Sequence, residues 1–365
     1  MKIAVIAPSA IAVRGDLPYG GAEWIIWQLC KQLARHDHEV TLIAPRGSDA
    51  PGTVLFQTVE PDKSGDEWGA FEEYEYAFDY SKDFDVVHDH SHHALPYKLR
   101  CLHPNLRMVH TCHGLQTWGY HVPFPVFYGP ARLLTLSTFH QDITKQPHGS
   151  CAGAMGMNSR TVIHGIDTDV YRPCDRAVVS DYFLVFGLMA PHKGHTLPLK
   201  IWSDRKMANM STGPLIVAGE DNFVGDKKYV RTIKELCEGP TAKPVANYIG
   251  GISQEKKIEL FQRARGVMLP FITKPGEAWS LIALEAQACG CPVISTPNGA
   301  IPELIEQDKT GFICKDDKAL IEAMEKCETL DREYIASRIR VRFGLNSLYD
   351  SHMAIYEAIL KGDTW

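Results

Sequence analysis

Long apolar runs are missing from this sequence. The longest, such as Tyr182–Pro191, fall far short of the roughly 20 residues that a membrane-spanning helix requires, so no spanning helix is expected. The apolar stretch after Met1-Lys2 is broken by Pro8 and preceded by a single lysine, which fits a first buried strand better than a secretory signal. No excess of basic charge is present either: 38 Lys+Arg against 44 Asp+Glu leave a net charge of −6, which argues against a general nucleic-acid surface. The ten cysteines show no disulfide-like spacing, and in a chain of 365 residues they read as reduced thiols of a cytoplasmic protein. Short repeats and low-complexity tracts are absent. With 45% hydrophobic and 22% charged residues, disorder, collagen and coiled coil are excluded.

What is present is an alternation of strand and helix patterns. Ile3–Ala7 is a short apolar run, followed by Gly15, Gly20 and Gly21, then by Ala22, Ile25, Ile26, Leu29 and Leu33 on one helical face, then by the strand Val40–Ala44. Asp85-Val86-Val87, Leu106–His110, Leu133–Ser137 and Thr161–His164 read as further strand ends. The alternation starts afresh with Tyr182–Gly187, Leu215–Gly219, Val245–Gly250, Gly266–Pro270, Pro292–Ser295 and Gly311–Cys314. Such a pattern predicts parallel sheets covered by helices on both faces. Val170–Asp181 is the expected linker, giving two doubly wound α/β domains with a boundary near residue 175 and the cleft between them as the default ligand site. An NAD-dependent oxidoreductase is disfavoured, because no Gly-x-Gly-x-x-Gly follows the first strand.

The most specific local signal is the run from Lys274 to Ile294, with Glu277 in a Pro/Gly-introduced loop and Glu285 inside an apolar helix closed by Gly290. The helix N-terminus lies between the two glutamates. Its backbone N–H groups, those of Ser280 and Leu281, and its dipole suit a phosphate or diphosphate. Glu285, one to two turns in, is placed to accept from ribose hydroxyls, and Glu277 to face whatever the diphosphate carries.

This stretch resembles the Glu-x7-Glu motif of the retaining GT-B glycosyltransferases of family 4, the glycosyl transferases group 1. Other segments resemble that family's motifs in the same order: Gly20-Gly21-Ala22-Glu23, Val87-His88-Asp89-His90, His110-Thr111-Cys112-His113-Gly114, His164-Gly165-Ile166-Asp167, Gly187–Gly194 and Pro297–Glu303. The resemblance implies an α/β GT-B architecture, two Rossmann-like doubly wound domains facing a central cleft. The acceptor-binding domain would span 1–175, with 345–365 crossing back onto it, and the nucleotide-sugar-binding domain would span 176–344.

The resemblance also implies roles. Lys193 would neutralise the departing diphosphate, so that no metal and no further cofactor is required beyond the nucleotide sugar as co-substrate. Glu277, His113 and Lys193 would form the catalytic set. Gly20 and Gly21 would let backbone approach the phosphates, and Ser280, Leu281, Glu285, Gly219 and Gly251 would complete the donor site, with the Tyr248–Ser253 turn along the base. His88, His90 and Trp118 would lie on the acceptor side. The implied activity is retaining transfer of a sugar to a hydroxyl acceptor by front-face attack, with room for peripheral membrane contact through a lipid-linked acceptor. The alternative is a sugar-nucleotide-binding protein of the same fold that has lost turnover.

Two departures bear on donor binding. Leu188 stands where the family has an arginine, a loss worth about 1.5–3 kcal/mol unless another cation substitutes, with His192 as neighbouring candidate. Ala278-Trp279-Ser280 replaces Gly-Phe-Gly, a bulkier loop beside the sugar. Three further patterns read as structural. His88, His90 and His92 would share one face of a continued strand, but no carboxylate or cysteine pattern completes a metal site with them or with His93. The acidic and aromatic segment Glu60–Tyr80 reads as a solvated face, with stacking on an acceptor sugar as the sharper alternative. Cys289-Gly290-Cys291 reads as small buried residues at a helix end.

Overall fold

The computed structural model describes residues 1–17, 20–57, 59–61, 83–91, 103, 105–114, 132–144, 159–174, 179–208, 210, 213–221, 227–239, 244–272 and 276–363. They form two compact units, one of Met1–Gly165 with Leu345–Trp365 and one of Ile166–Gly344.

The first unit carries a parallel sheet of β1 (Lys2–Ile6), β2 (Glu39–Ala44), β3 (Thr53–Gln57), β4 (Val86–Asp89), β5 (Met108–Thr111), β6 (Arg132–Thr135) and β7 (Ser159–Thr161), in the order β3-β2-β1-β4-β5-β6-β7. β1 pairs with β2 and β4, and its residues Ile3 to Ile6 are fully buried, which is why this strand reads as an unbroken apolar run. α1 (Gly21–Arg35) follows β1 and buries Ile25, Ile26, Leu29 and Leu33, the face that its spacing predicts. α2 (Thr138–Thr144) follows β6. β3 escaped the sequence reading because an edge strand with Val54 and Leu55 exposed lacks the buried run of its neighbours.

The second unit has its own parallel sheet of β8 (Phe183–Phe186), β9 (Leu215–Ala218), β10 (Asn247–Gly250), β11 (Gly266–Leu269), β12 (Val293–Ser295) and β13 (Gly311–Ile313), ordered β10-β9-β8-β11-β12-β13. All six expected strands are present. The helices are α3 (Thr196–Met207), α4 (Lys227–Glu238), α5 (Gln254–Arg263), α6 (Leu281–Ala288), α7 (Ile301–Leu304), α8 (Asp317–Lys326) and α9 (Arg332–Phe343). The core centres on Trp202, which packs edge-on against Phe183 and donates its indole N–H to the Gly213 carbonyl at 3.1 Å.

The last helix, α10 (Leu345–Leu360), belongs to the first unit. Tyr349 stacks on His36 at 3.8 Å, Ser351 accepts from the Ile163 amide, and His352 and Tyr356 are fully buried. The division between units falls at Gly165/Ile166, where the sequence reading put it at 175/176. Ile166 bridges to Gly344 and Tyr171 is 1% exposed inside the second unit, so the stretch expected as a linker begins as part of that unit's core. No helix among the described residues is long and apolar enough to cross a membrane.

In both sheets the strand order reverses next to the first strand, between β1 and β4 and between β8 and β11. Ligands of open parallel sheets sit outside the carboxyl ends of the strands at such points. The segments that leave these four strands carry Gly20-Gly21, His90, Lys193 and Glu277.

Candidate functional site

In the second unit, the segment after β8 makes a tight turn, Pro191–Lys193, that ends on Gly194 at φ 71°. A Cβ on Gly194 would lie 1.9 Å from the Pro270 carbonyl oxygen, so only glycine lets this turn seat on the exit of β11. The turn delivers the Lys193 ammonium to 2.8 Å from Glu277 Oε2 and 5.0 Å from the Phe271 ring centroid. The two side chains are 18% and 19% exposed, shielded enough to strengthen the pair and open enough for a ligand to reach it.

Glu277 is held by its backbone. Its N–H donates to Asn298 Oδ1 at 3.0 Å and its carbonyl accepts from the Ala300 amide at 2.8 Å. A Cβ on Gly299 would come within 2.1 Å of that carbonyl, so the segment after β12 clamps the glutamate closely. Ser280 caps α6, its hydroxyl accepting from the Ala283 amide at 3.3 Å. The amides of Leu281 and Ile282 precede the first intrahelical donor and point out of the helix start, as a phosphate would need.

Glu285 is buried, with Oε1 2.9 Å from Lys257 Nζ. The Tyr171 hydroxyl bonds the same carboxylate, and burial together with this negative neighbour drives the phenol's pKa far up. Lys257, on α5, also lies 5.1 Å from the centre of the Tyr171 ring. Neither Lys257 nor Tyr171 was singled out by the sequence reading. The Tyr follows the His164–Asp167 motif by a few residues and Lys257 has no local pattern to mark it.

At the ends of β8, β9 and β10 the backbones close up. Gly219 has φ 144°, and a Cβ there would meet the Gly187 carbonyl at 1.7 Å, while Gly251 lies with its Cβ position 3.2 Å from Glu220 Oε2. Tyr248 donates to Asp221 Oδ2 at 2.6 Å, and Lys234 lies 3.4 Å from the same oxygen. His192, the neighbouring candidate for the cation that Leu188 does not provide, is half-buried in the same turn as Lys193. Half-burial, followed by repulsion from Lys193, lowers its pKa and keeps the ring neutral at pH 7.

The first unit brings together six imidazoles, five of them buried. His88, at the end of β4, has both ring nitrogens engaged, Nδ1 with the Tyr356 hydroxyl and Nε2 with Thr111 Oγ1, each at 2.7 Å. The His90 ring lies tilted by 35° against His88, with centroids 4.0 Å apart, and places Nδ1 2.7 Å from His113 Nε2. His110 bonds Asp89 Oδ2 at 2.7 Å, and His164 lies 5.2 Å from His113 and 6.4 Å from His352. Burial, then mutual repulsion, pushes His88, His90 and His164 well below the usual histidine range, and burial takes His352 down to about 4. The shared face expected for His88 and His90 is present, but among the described residues no group of three or more His, Cys, Asp or Glu could hold a metal ion. His164, His352 and the Asp89–His110 pair were not assigned from sequence. His352 and Tyr356, four residues apart on α10, were legible only as helical spacing.

Gly20 caps α1 at φ 127° and Gly21 opens it. Glu23, in the first turn, is 6% exposed, and burial raises its carboxyl pKa to about 7 against the opposing bond from its own amide. Cys289 and Cys291 are free and buried, with the thiol of Cys291 pushed up to about 11 by burial, as inert core thiols are. Trp118, His92, His93 and most of the acidic, aromatic segment, residues 62–80, lie outside the described residues.

Two family models match the chain. Glycosyltransferase Family 4 covers residues 19–145 and Glycosyl transferases group 1 covers residues 178–341. The chain is 30% identical over 165 residues to the D-inositol 3-phosphate glycosyltransferase of Mycolicibacterium paratuberculosis, covering 42% of this chain and 35% of the relative. The matched stretch thus spans about a third of that relative's length. A glycosyltransferase from Rickettsia africae superposes with a TM-score of 0.78 at 19% identity, covering 99% of each chain. Anabaena HepE in complex with UDP-glucose does so with a TM-score of 0.70 at 14% identity, covering 98% of this chain and 100% of that one. At these identities the likeness is one of fold, the GT-B pair of Rossmann-like units. With the two family matches running in chain order over most of its length, the chain belongs to glycosyltransferase family 4, the glycosyl transferases group 1.

Proposed function

We propose that this chain transfers a sugar, with retention of anomeric configuration, from a nucleoside-diphosphate donor to a hydroxyl acceptor. The observation that carries the reading is the Lys193–Glu277 pair at the β8/β11 switch point, with the α6 N-terminus beside it and Glu285 further along that helix. On donor binding the ammonium turns to the diphosphate and Glu277 accepts from sugar hydroxyls. The α6 amides take phosphate oxygens and Glu285 accepts from the ribose, while the Tyr248–Ser253 turn, with Gly219 and Gly251, lies along the base. His113 contacts a sugar hydroxyl, Gly20-Gly21 give the phosphates close backbone approach, and the acceptor falls to the first unit.

In the transfer step the acceptor oxygen bonds the anomeric carbon as its bond to the phosphate oxygen breaks, and the acceptor proton passes to that departing oxygen. Charge that builds on the diphosphate is met by Lys193 and the helix start, which is why the reading assigns no metal. The UDP-glucose held by the Anabaena neighbour supports a nucleotide sugar as donor.

The test is a thermal-shift panel with UDP, GDP, ADP and their sugars on the wild type, Lys193→Ala and Glu285→Ala. A ligand that binds only the folded chain raises its stability, by about 2.7 kcal/mol at a hundred times Kd. One base is expected to shift the wild type and neither variant. No shift with any nucleotide on a folded protein would overturn the reading. Leu188 and the neutral His192 leave Lys193 as the cation of this turn, and that observation keeps the second reading, a binding protein without turnover. Binding without release of nucleoside diphosphate across an acceptor panel would select it.

A further inference from the structure

The His90 ring is fully buried, and its Nε2 has no hydrogen-bond partner among the described residues. The bond that it does make runs from Nδ1 to His113 Nε2 at 2.7 Å, and His113 is half-buried, open to a ligand where the other rings are not. The adjacent ring of His88 is held in place, because Tyr356 from α10 and Thr111 from β5 engage both of its nitrogens. The nearest carboxylate on the strand, Asp89, is engaged by His110 and by the Ser91 amide. Burial, then repulsion from the imidazoles of His88, His113, His352 and His164, disfavours protonation of His90. Where both imidazoles are neutral, one nitrogen must donate and the other accept, so this bond couples their tautomers.

We propose that His90 is a positioning residue that donates its Nδ1–H to His113 Nε2 and so holds His113 as the Nδ1–H tautomer. The opposite assignment would leave His90 with a buried orphan N–H, whereas this one leaves only an unfilled lone pair, the less costly deficit. One consequence is chemical. With its Nε2 lone pair taken, His113 does not act as a general base through that nitrogen.

The test has two independent parts. Nitrogen-15 spectra of histidine-labelled, ligand-free protein read the tautomer of His113 directly. The wild type is expected to show a protonated Nδ1 and a bare Nε2. His90→Phe should release His113 to a mixture, and His90→Asn, whose amide stands where Nδ1 stands, should keep the wild-type pattern. An Nε2–H tautomer in the wild type, or an unchanged pattern in a folded His90→Phe, overturns the proposal. If His90→Phe does not fold, the wild-type spectrum decides.

The kinetic part rests on the proposed glycosyltransferase activity. His90→Phe should lower kcat about ten- to a hundred-fold, the range expected for a misplaced group. Donor KM should stay within about two-fold, and His90→Asn should recover most of the rate. Unchanged kcat in His90→Phe overturns the positioning role. A wild type without turnover on any nucleotide sugar overturns the proposed function instead, and the spectra still decide on His90.

Discussion

Lys257 Nζ lies 2.9 Å from Glu285 Oε1, joining α5 to α6 at the residue proposed to take the donor ribose. The carboxylate side chain is 8% exposed and its partner 19%, so this is a shielded pair and not a surface one. Lys257→Met leaves the carboxylate short of its cation. Removing one member of a buried pair costs about 3–5 kcal/mol, and the remaining Tyr171 bond places this case near the lower bound. Urea unfolding should show that loss, and Glu285→Gln added to Lys257→Met should recover most of it. A loss below about 1 kcal/mol would mean that water screens the pair as it does exposed ones.

Leu188 is half-buried in the segment that leads from β8 to Lys193. Because His192 stays neutral there, an added guanidinium would meet the diphosphate without a competing cation at that neighbouring position. Leu188→Arg is expected to tighten binding of the cognate nucleoside diphosphate roughly ten- to a hundred-fold, the worth of one charged hydrogen bond of about 1.5–3 kcal/mol. Titration calorimetry reads this directly. Unchanged affinity would show that residue 188 does not face the phosphates.

The sequence carried the fold wherever burial is two-sided. β1, β11 and β12 are read from buried apolar runs, and α1 from the spacing of Ile25, Ile26, Leu29 and Leu33. β3, at the sheet edge, has no such run and was missed. The residues proposed for the donor could be picked out because Gly194, Glu277 and Ser280 are local motif positions. The partners that hold those groups are not local. Lys257 reaches Glu285 from another helix, and Tyr356 reaches His88 across 268 positions of sequence, so neither pairing leaves a trace in any short window.

His352 gives the first unit an acid-sensitive point. Its Nδ1–H donates to the Leu348 carbonyl, and burial holds its pKa at about 4, below the 6.5 of the unfolded chain. Between those values the unfolded state binds more protons, so stability is complete above about pH 6.5 and is lost as pH falls toward 4. For this one ring the loss is about 2 kcal/mol at pH 5. The neighbouring His88, His90 and His164 are shifted in the same direction and add to it. Urea midpoints at pH 7 and pH 5 should show a large fall in the wild type and a smaller one, by about that amount, in His352→Gln. Equal falls would place the acid sensitivity elsewhere.

Glu23 runs the other way. Its folded pKa of about 7 lies above the ordinary 4.5, because burial outweighs the bond from its own amide, so the folded state holds the proton longer than the unfolded one. Its contribution is complete below about pH 4.5 and is lost as pH rises through 7. At pH 8 the buried carboxylate costs about 3 kcal/mol, less up to about 1 kcal/mol returned by the positive end of α1. Glu23→Gln keeps the shape and removes the charge. It should therefore raise the urea midpoint at pH 8 and leave it unchanged at pH 4.5, and a gain of equal size at both would trace to packing and not to ionisation. Because Gly20 and Gly21 open the same helix, the ionised carboxyl also opposes an anion there, and weaker nucleoside diphosphate binding at pH 8 in the wild type but not in Glu23→Gln would tie this group to the phosphates.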